Sequence, residues 1–119
     1  MNLKEFFQTV GGDYDTVSTR LPLDSMIKKF LLKFPADPSF NELTRSFKEG
    51  DVKSGFLAAH TLKGTSANLG LDALAQAASD LTEQLRNADT LPDSAYFNAV
   101  ENEYNNAILQ ISRLEQGDK

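Results

Sequence analysis

Cysteine is absent from this 119-residue sequence, and histidine occurs once, at position 60. Without cysteine, disulfides, thiolate metal sites and a cysteine nucleophile are all excluded. With a single histidine, the repeated Glu-x-x-His ligands that hold paired metals inside helical bundles cannot be assembled. No apolar run approaches the roughly 18 residues that a membrane span requires, and the mixed polar segment after Met1 does not resemble a secretion signal. The chain is therefore expected in the cytoplasm. A basic surplus is missing too: 12 Lys and Arg face 17 Asp and Glu, for a net charge of −5. That balance argues against general affinity for nucleic acid or anionic membranes and favours a protein partner.

What is present reads almost wholly as helix. Leu3, Phe6, Phe7 and Val10 recur at helical spacing over residues 2–10, before Gly11 and Gly12 close the segment. Asp13 is placed to cap a second short piece in which Tyr14, Val17 and Leu21 share a side before Pro22. Residues 1–22 thus form an N-terminal helical extension packed on a larger body, residues 23–119, with Phe6 and Phe7 read as packing residues. In that body Asp24 or Ser25 opens a helix whose broad apolar stripe is Met26, Ile27, Phe30, Leu31 and Phe34, with Lys28, Lys29 and Lys33 on a solvated face. The next helix starts at Asp37-Pro38, buries Phe40, Leu43 and Phe47, and stops at Gly50.

A central helix follows over residues 51–69, capped by Asp51 and ended by Gly70. At about 100° per residue, Lys53, Phe56, Leu57, His60, Lys63, Gly64 and Ala67 fall on one side, and Ala58, Leu62, Thr65 and Leu69 fall opposite. The Leu62 side suits a core, which leaves the His60 side exposed or covered by something else. Leu71, Leu74, Ala78, Leu81 and Leu85 mark a further helix, with Asp72 and Arg86 at the ends the helix dipole favours. The last helix begins near Pro92-Asp93 and carries Tyr96, Phe97, Val100, Tyr104, Ile108, Ile111 and Leu114 before the polar tail 115–119. Short loops between such stripes predict an all-α fold, an antiparallel up-down four-helix bundle with short extra N-terminal helices.

Elimination narrows the chemistry. No loop has the Asp/Asn/Gly spacing of a calcium site, and no glycine-rich phosphate loop is present, so the chain has no evident means of binding a nucleotide and phosphorylating itself. A triad of Ser66 or Ser79 with His60 lacks both a strand–turn–helix elbow and oxyanion donors. What remains for His60 is the role of acceptor. An imidazole nitrogen is a competent nucleophile, and its N–P bond is labile enough for onward transfer to oxygen. Lys63, one turn along, can set its ammonium against phosphoryl oxygens. Gly64 at i+4 accepts a loss of roughly 1 kcal/mol in helix propensity, which is explained if a side chain there would crowd the imidazole and an incoming partner.

The stretch Ala59-His60-Thr61-Leu62-Lys63-Gly64-Thr65-Ser66-Ala67-Asn68-Leu69-Gly70 resembles the signature of histidine-containing phosphotransfer (HPt) domains, and the resemblance extends over about residues 23–115. It implies a phosphocarrier of a two-component phosphorelay without kinase activity of its own. His60 would be the phosphoacceptor, exchanging phosphate with the aspartate of a response-regulator receiver domain downstream of a sensor or hybrid histidine kinase. The same resemblance implies that the partner supplies magnesium, and that this chain binds no metal or cofactor. Phe56, Leu57 and Ala67 would form the apolar docking surface, with Lys53 at its rim. A Gln or Glu on the following helix usually hydrogen-bonds the free ring nitrogen in this family. The corresponding position here is Thr82, so the Thr82 hydroxyl, a water or a shifted Glu83 would have to serve. A helical adaptor that binds a receiver or another protein without carrying phosphate is the alternative. A monomer is expected, because one helix face must stay open, and the Met1 start favours a free-standing protein.

Overall fold

The two N-terminal helices and the central helix begin at side chains that capture free backbone amides. Asn2 accepts from the Glu5 amide at 2.8 Å while the Glu5 carboxylate accepts from the Asn2 amide at 3.1 Å, a reciprocal capping box that starts α1 (Leu3–Thr9). Asp13 caps α2 (Tyr14–Arg20) through the Asp15 amide. Helix α3 (Asp24–Lys33) has no side-chain cap, but Asp24 lies in its first turn and accepts a hydrogen bond from the Tyr14 hydroxyl. A short 3-10 turn, Phe34–Ala36, leads to α4 (Ser39–Glu49), where Asp37 takes the Ser39 amide at 2.9 Å. Gly50, with φ +68°, ends α4 in the left-handed conformation. Then come α5 (Val52–Asn68), α6 (Asp72–Leu85) and α7 (Ser94–Gly117). The structure, a computed structural model, describes residues 1–117, so the final two residues of the expected polar tail lie outside it and the rest of that tail is helical.

Helices α4 to α7 form the bundle, α5 packing on α4 and α6, and α6 on α7. A layer of rings fixes the remaining contact and its direction. Phe40 stacks on Tyr104 with centroids 4.1 Å apart, and Phe47 meets Phe97 at 4.9 Å. The earlier residue of α4 thus pairs with the later residue of α7, which makes them antiparallel and completes the up-down order. The bundle core holds Leu43, Leu62, Leu74, Leu81, Leu85, Val100, Ile111 and Leu114. By the usual area relation each fully buried leucine contributes about 1.5–3 kcal/mol before ordering costs.

The N-terminal segment is continuous with this core. Phe6, Phe7, Val10 and Val17 are buried in it, as their spacing implied. They close over the α5–α6 turn: the Ala73 amide donates to the Val10 carbonyl at 3.0 Å, and a Cβ on Gly70 would collide with the Phe7 ring and the Val17 side chain. Gly70 has φ +76°, so both conformation and space demand glycine there. On α7 the Asn106 amide reaches the Thr9 carbonyl at 2.9 Å.

The stripe expected on α3 is narrower in the fold. Ile27, Leu31 and Phe34 are buried, but Met26 and Phe30 are each 38% exposed and Leu23 is 58% exposed. The helix packs against α2 and α7, which leaves Met26 and Phe30 partly open, Phe30 beside Leu69.

Candidate functional site

Helix α5 divides sharply into two faces. Gly55, Ala58, Ala59, Leu62 and Ser66 are buried. All but Leu62 are small, which lets α4 and α6 approach closely. The Ser66 hydroxyl is buried without penalty because it donates to the Leu62 carbonyl at 2.6 Å. Thr65 and Leu69, expected on the core side with Ala58 and Leu62, are only half-buried. The start of α5 is secured by Asp51, whose carboxylate accepts from both the amide and the hydroxyl of Ser54. Those hydrogen bonds hold the Asp51 carboxyl below the usual range.

The opposite face carries the candidate residues. His60, Lys53, Gly64 and Ala67 are exposed, Leu57 is 64% exposed, and Phe56 and Lys63 are half-buried. All seven therefore share one open face of a helix whose other side is locked into the core. A Cβ built on Gly64 finds no atom within 4 Å. Crowding of the imidazole within this chain is thus not the reason for glycine at 64. The open space matters only to something arriving from outside.

The fold settles what Thr82 does. Its side chain is completely buried, and its hydroxyl donates to the Ala78 carbonyl at 2.6 Å. Glu83 is exposed and engaged elsewhere, taking two hydrogen bonds from Arg86: Nη2 to Oε1 at 3.1 Å and Nε to Oε2 at 3.3 Å. That paired contact, then the charges of Arg86 and Lys63, draws the Glu83 carboxyl below its ordinary range. Among the described residues neither Thr82 nor Glu83 hydrogen-bonds His60.

Instead an aromatic ring lies beside the imidazole. Phe56, one turn earlier, is nearly parallel to the His60 ring, 7° between planes and 6.0 Å between centroids. The Arg86 guanidinium carbon sits 5.2 Å from the centroid of the same phenyl ring, within cation–π range. Arg86 also lines, with Lys53, Phe56, Leu57 and Leu85, an open concavity of about 520 Å³ beside the exposed face. From sequence alone Arg86 is only a cation suited to a helix end. Its position one turn after Thr82 is the signal that would have placed it beside the acceptor face.

A family model of the Hpt domain matches residues 3–111. The chain belongs to that family. Hpt domains are histidine phosphocarriers rather than catalysts, and they work with two-component signalling partners. The all-helical bundle agrees with the Hpt fold. The match starts at residue 3 and so takes in α1 and α2, which the sequence resemblance left outside. No curated protein and no solved structure was found to match the chain. Among the described residues no three His, Asp or Glu side chains gather as a metal ligand set, and no helix is long and apolar enough to cross a membrane.

Proposed function

We propose that this Hpt domain carries phosphate on His60 within a two-component phosphorelay. The imidazole nitrogen attacks the phosphorus of a receiver-domain aspartyl phosphate. The N–P bond forms as the acyl O–P bond breaks, and the aspartate leaves as its carboxylate. Donation to a second receiver runs the same exchange in reverse. Magnesium on the receiver, held by the receiver's own residues, offsets charge on the phosphoryl oxygens, and Lys63 does so from this side. Gly64 leaves clearance for the partner, and Lys53, Phe56, Leu57 and Ala67 form the surface on which the receiver docks. The setting is cytoplasmic, the domain acts as a monomer, and the phosphate originates at a sensor or hybrid histidine kinase.

The observation that carries this reading is a sole histidine exposed in mid-helix beside Lys63 and the unfilled space over Gly64, on a face backed by the bundle core. A merely adhesive adaptor would have no use for that clearance around an imidazole. The deciding experiment is incubation with a phosphorylated receiver and magnesium. Wild type should gain acid-labile, base-stable phosphate, and His60→Gln should gain none. Receiver binding with no label on wild type, tried with several cognate receivers, would favour the adaptor.

A further inference from the structure

The phosphocarrier reading leaves one requirement unmet, because an acceptor imidazole must hold its ring plane. The attacking lone pair has to lie in line with the bond that breaks, and a histidine on an open helix face otherwise samples several χ1 and χ2 wells. The position that family resemblance assigns to this task is Thr82, and Thr82 is buried with its hydroxyl proton on the Ala78 carbonyl. Glu83 has both carboxylate oxygens on Arg86.

We infer that Phe56 and Arg86 are the positioning residues for His60, acting as a stack that runs from the guanidinium through the phenyl ring to the imidazole. Phe56 presents a flat surface parallel to the imidazole within the distance range of offset aromatic pairs. Arg86 covers the same phenyl ring and is itself fixed by the two-point contact with Glu83. Helices α5 and α6 pack on one another, which brings Arg86, at the end of α6, against the phenyl ring. The ring is half-buried, so part of it packs against the core and part stays open beside the imidazole. The assignment rests on the phosphocarrier reading, and it places the orienting role on residues that sequence spacing did not join.

Three variants and two readouts test it. Arg86→Gln removes the cation, Phe56→Leu keeps an apolar docking group but removes the plane, and Phe56→Tyr restores the plane. With a phosphorylated receiver as donor, the limiting transfer rate should fall roughly three- to tenfold in Phe56→Leu and Arg86→Gln, the span that aromatic stacking energies translate into. The half-saturating receiver concentration should stay within about twofold in Arg86→Gln, and Phe56→Tyr should return the rate to within about twofold of wild type. In proton NMR the wild-type His60 ring protons should carry a ring-current displacement, and that displacement should shrink in Arg86→Gln although the phenyl ring is still present. A purely structural role for Arg86 would leave the displacement intact. Unchanged limiting rates together with an unchanged displacement in Arg86→Gln overturn the assignment, as does a Tyr variant no better than Leu. Failure of wild type to take phosphate at all overturns the phosphocarrier reading instead, and the assignment falls with it.

Discussion

Replacing Gly64 by alanine should make the protein more stable and less able to exchange phosphate. Gly64 lies within α5, is exposed, and a Cβ there meets no atom within 4 Å. Nothing in the chain therefore opposes the substitution, and the helix gains the Gly-to-Ala difference of about 0.8–1 kcal/mol. An unfolding entropy of about 2.1 cal/mol/K per residue gives about 250 cal/mol/K for 119 residues, so the melting temperature should rise by about 3–4 °C. Urea unfolding should show a higher midpoint with an unchanged slope. Transfer from a phosphorylated receiver should fall by about tenfold, equivalent to about 1.4 kcal/mol of lost transition-state stabilisation. Gly64→Gln, also a good helix former, should lose more activity at little further change in stability. A variant that is both less stable and less active would show that the space is not open in the folded protein. Undiminished transfer by both variants would remove the steric role assigned to Gly64.

Gly70→Ala is the opposite case. A positive φ costs about 1–2 kcal/mol and overpacking against Phe7 and Val17 about 1–3 more, so a loss of about 2–5 kcal/mol should appear in urea unfolding. Thr82→Gln, which restores the amide common in the family, should be destabilising by about 2–4 kcal/mol because it forces a larger polar group into a fully buried position; the measured midpoint decides this, and a neutral result would mean the side chain escapes toward His60. The Asp51 cap has a folded-state carboxyl lowered by the Ser54 hydrogen bonds, so its contribution is complete above the ordinary carboxylate range near pH 4 and is lost as pH falls through the lower folded value. Asp51→Asn keeps an acceptor that does not titrate in this range, and its stability-versus-pH curve should be flatter than wild type below about pH 4 and parallel to it above.

The bundle was legible because its signals are local and repeated. Caps at Asp13 and Asp51, stops at Gly50 and Gly70, and apolar residues at helical spacing each constrain a few neighbouring residues, and their agreement sets the number and order of helices. The burial of α3 was overestimated for a related reason. Periodicity says which side of a helix is apolar, but the width of the covered strip depends on how many neighbours reach it, and α3, packed on α2 and α7, leaves Met26 and Phe30 partly open. The acceptor face was legible as a set of residues on one helix, since the phase of α5 alone decides which of them share a side.

Contacts between helices were not legible, and the surroundings of His60 depend on them. The family resemblance offers the Thr82 hydroxyl, a water or a shifted Glu83 as the partner of the imidazole. A threonine hydroxyl can equally close on the carbonyl four residues back, and then the side chain is as compatible with burial as valine. Periodicity on α6 could have indicated this, because Ala78, Leu81 and Leu85 define a buried strip that includes Thr82. Phe56 and Arg86 lie 30 positions apart, and their meeting depends on the rotation of α6 about its axis and on its close approach to α5, whose buried residues there include Gly55, Ala58 and Ala59. The same close approach that buries Thr82 delivers Arg86 to the rim of the acceptor face. Burial of Thr82 and the contact of Arg86 with Phe56 both depend on how α6 packs against α5, and a bulky residue at 58 or 59, both buried on α5, should disturb both at once.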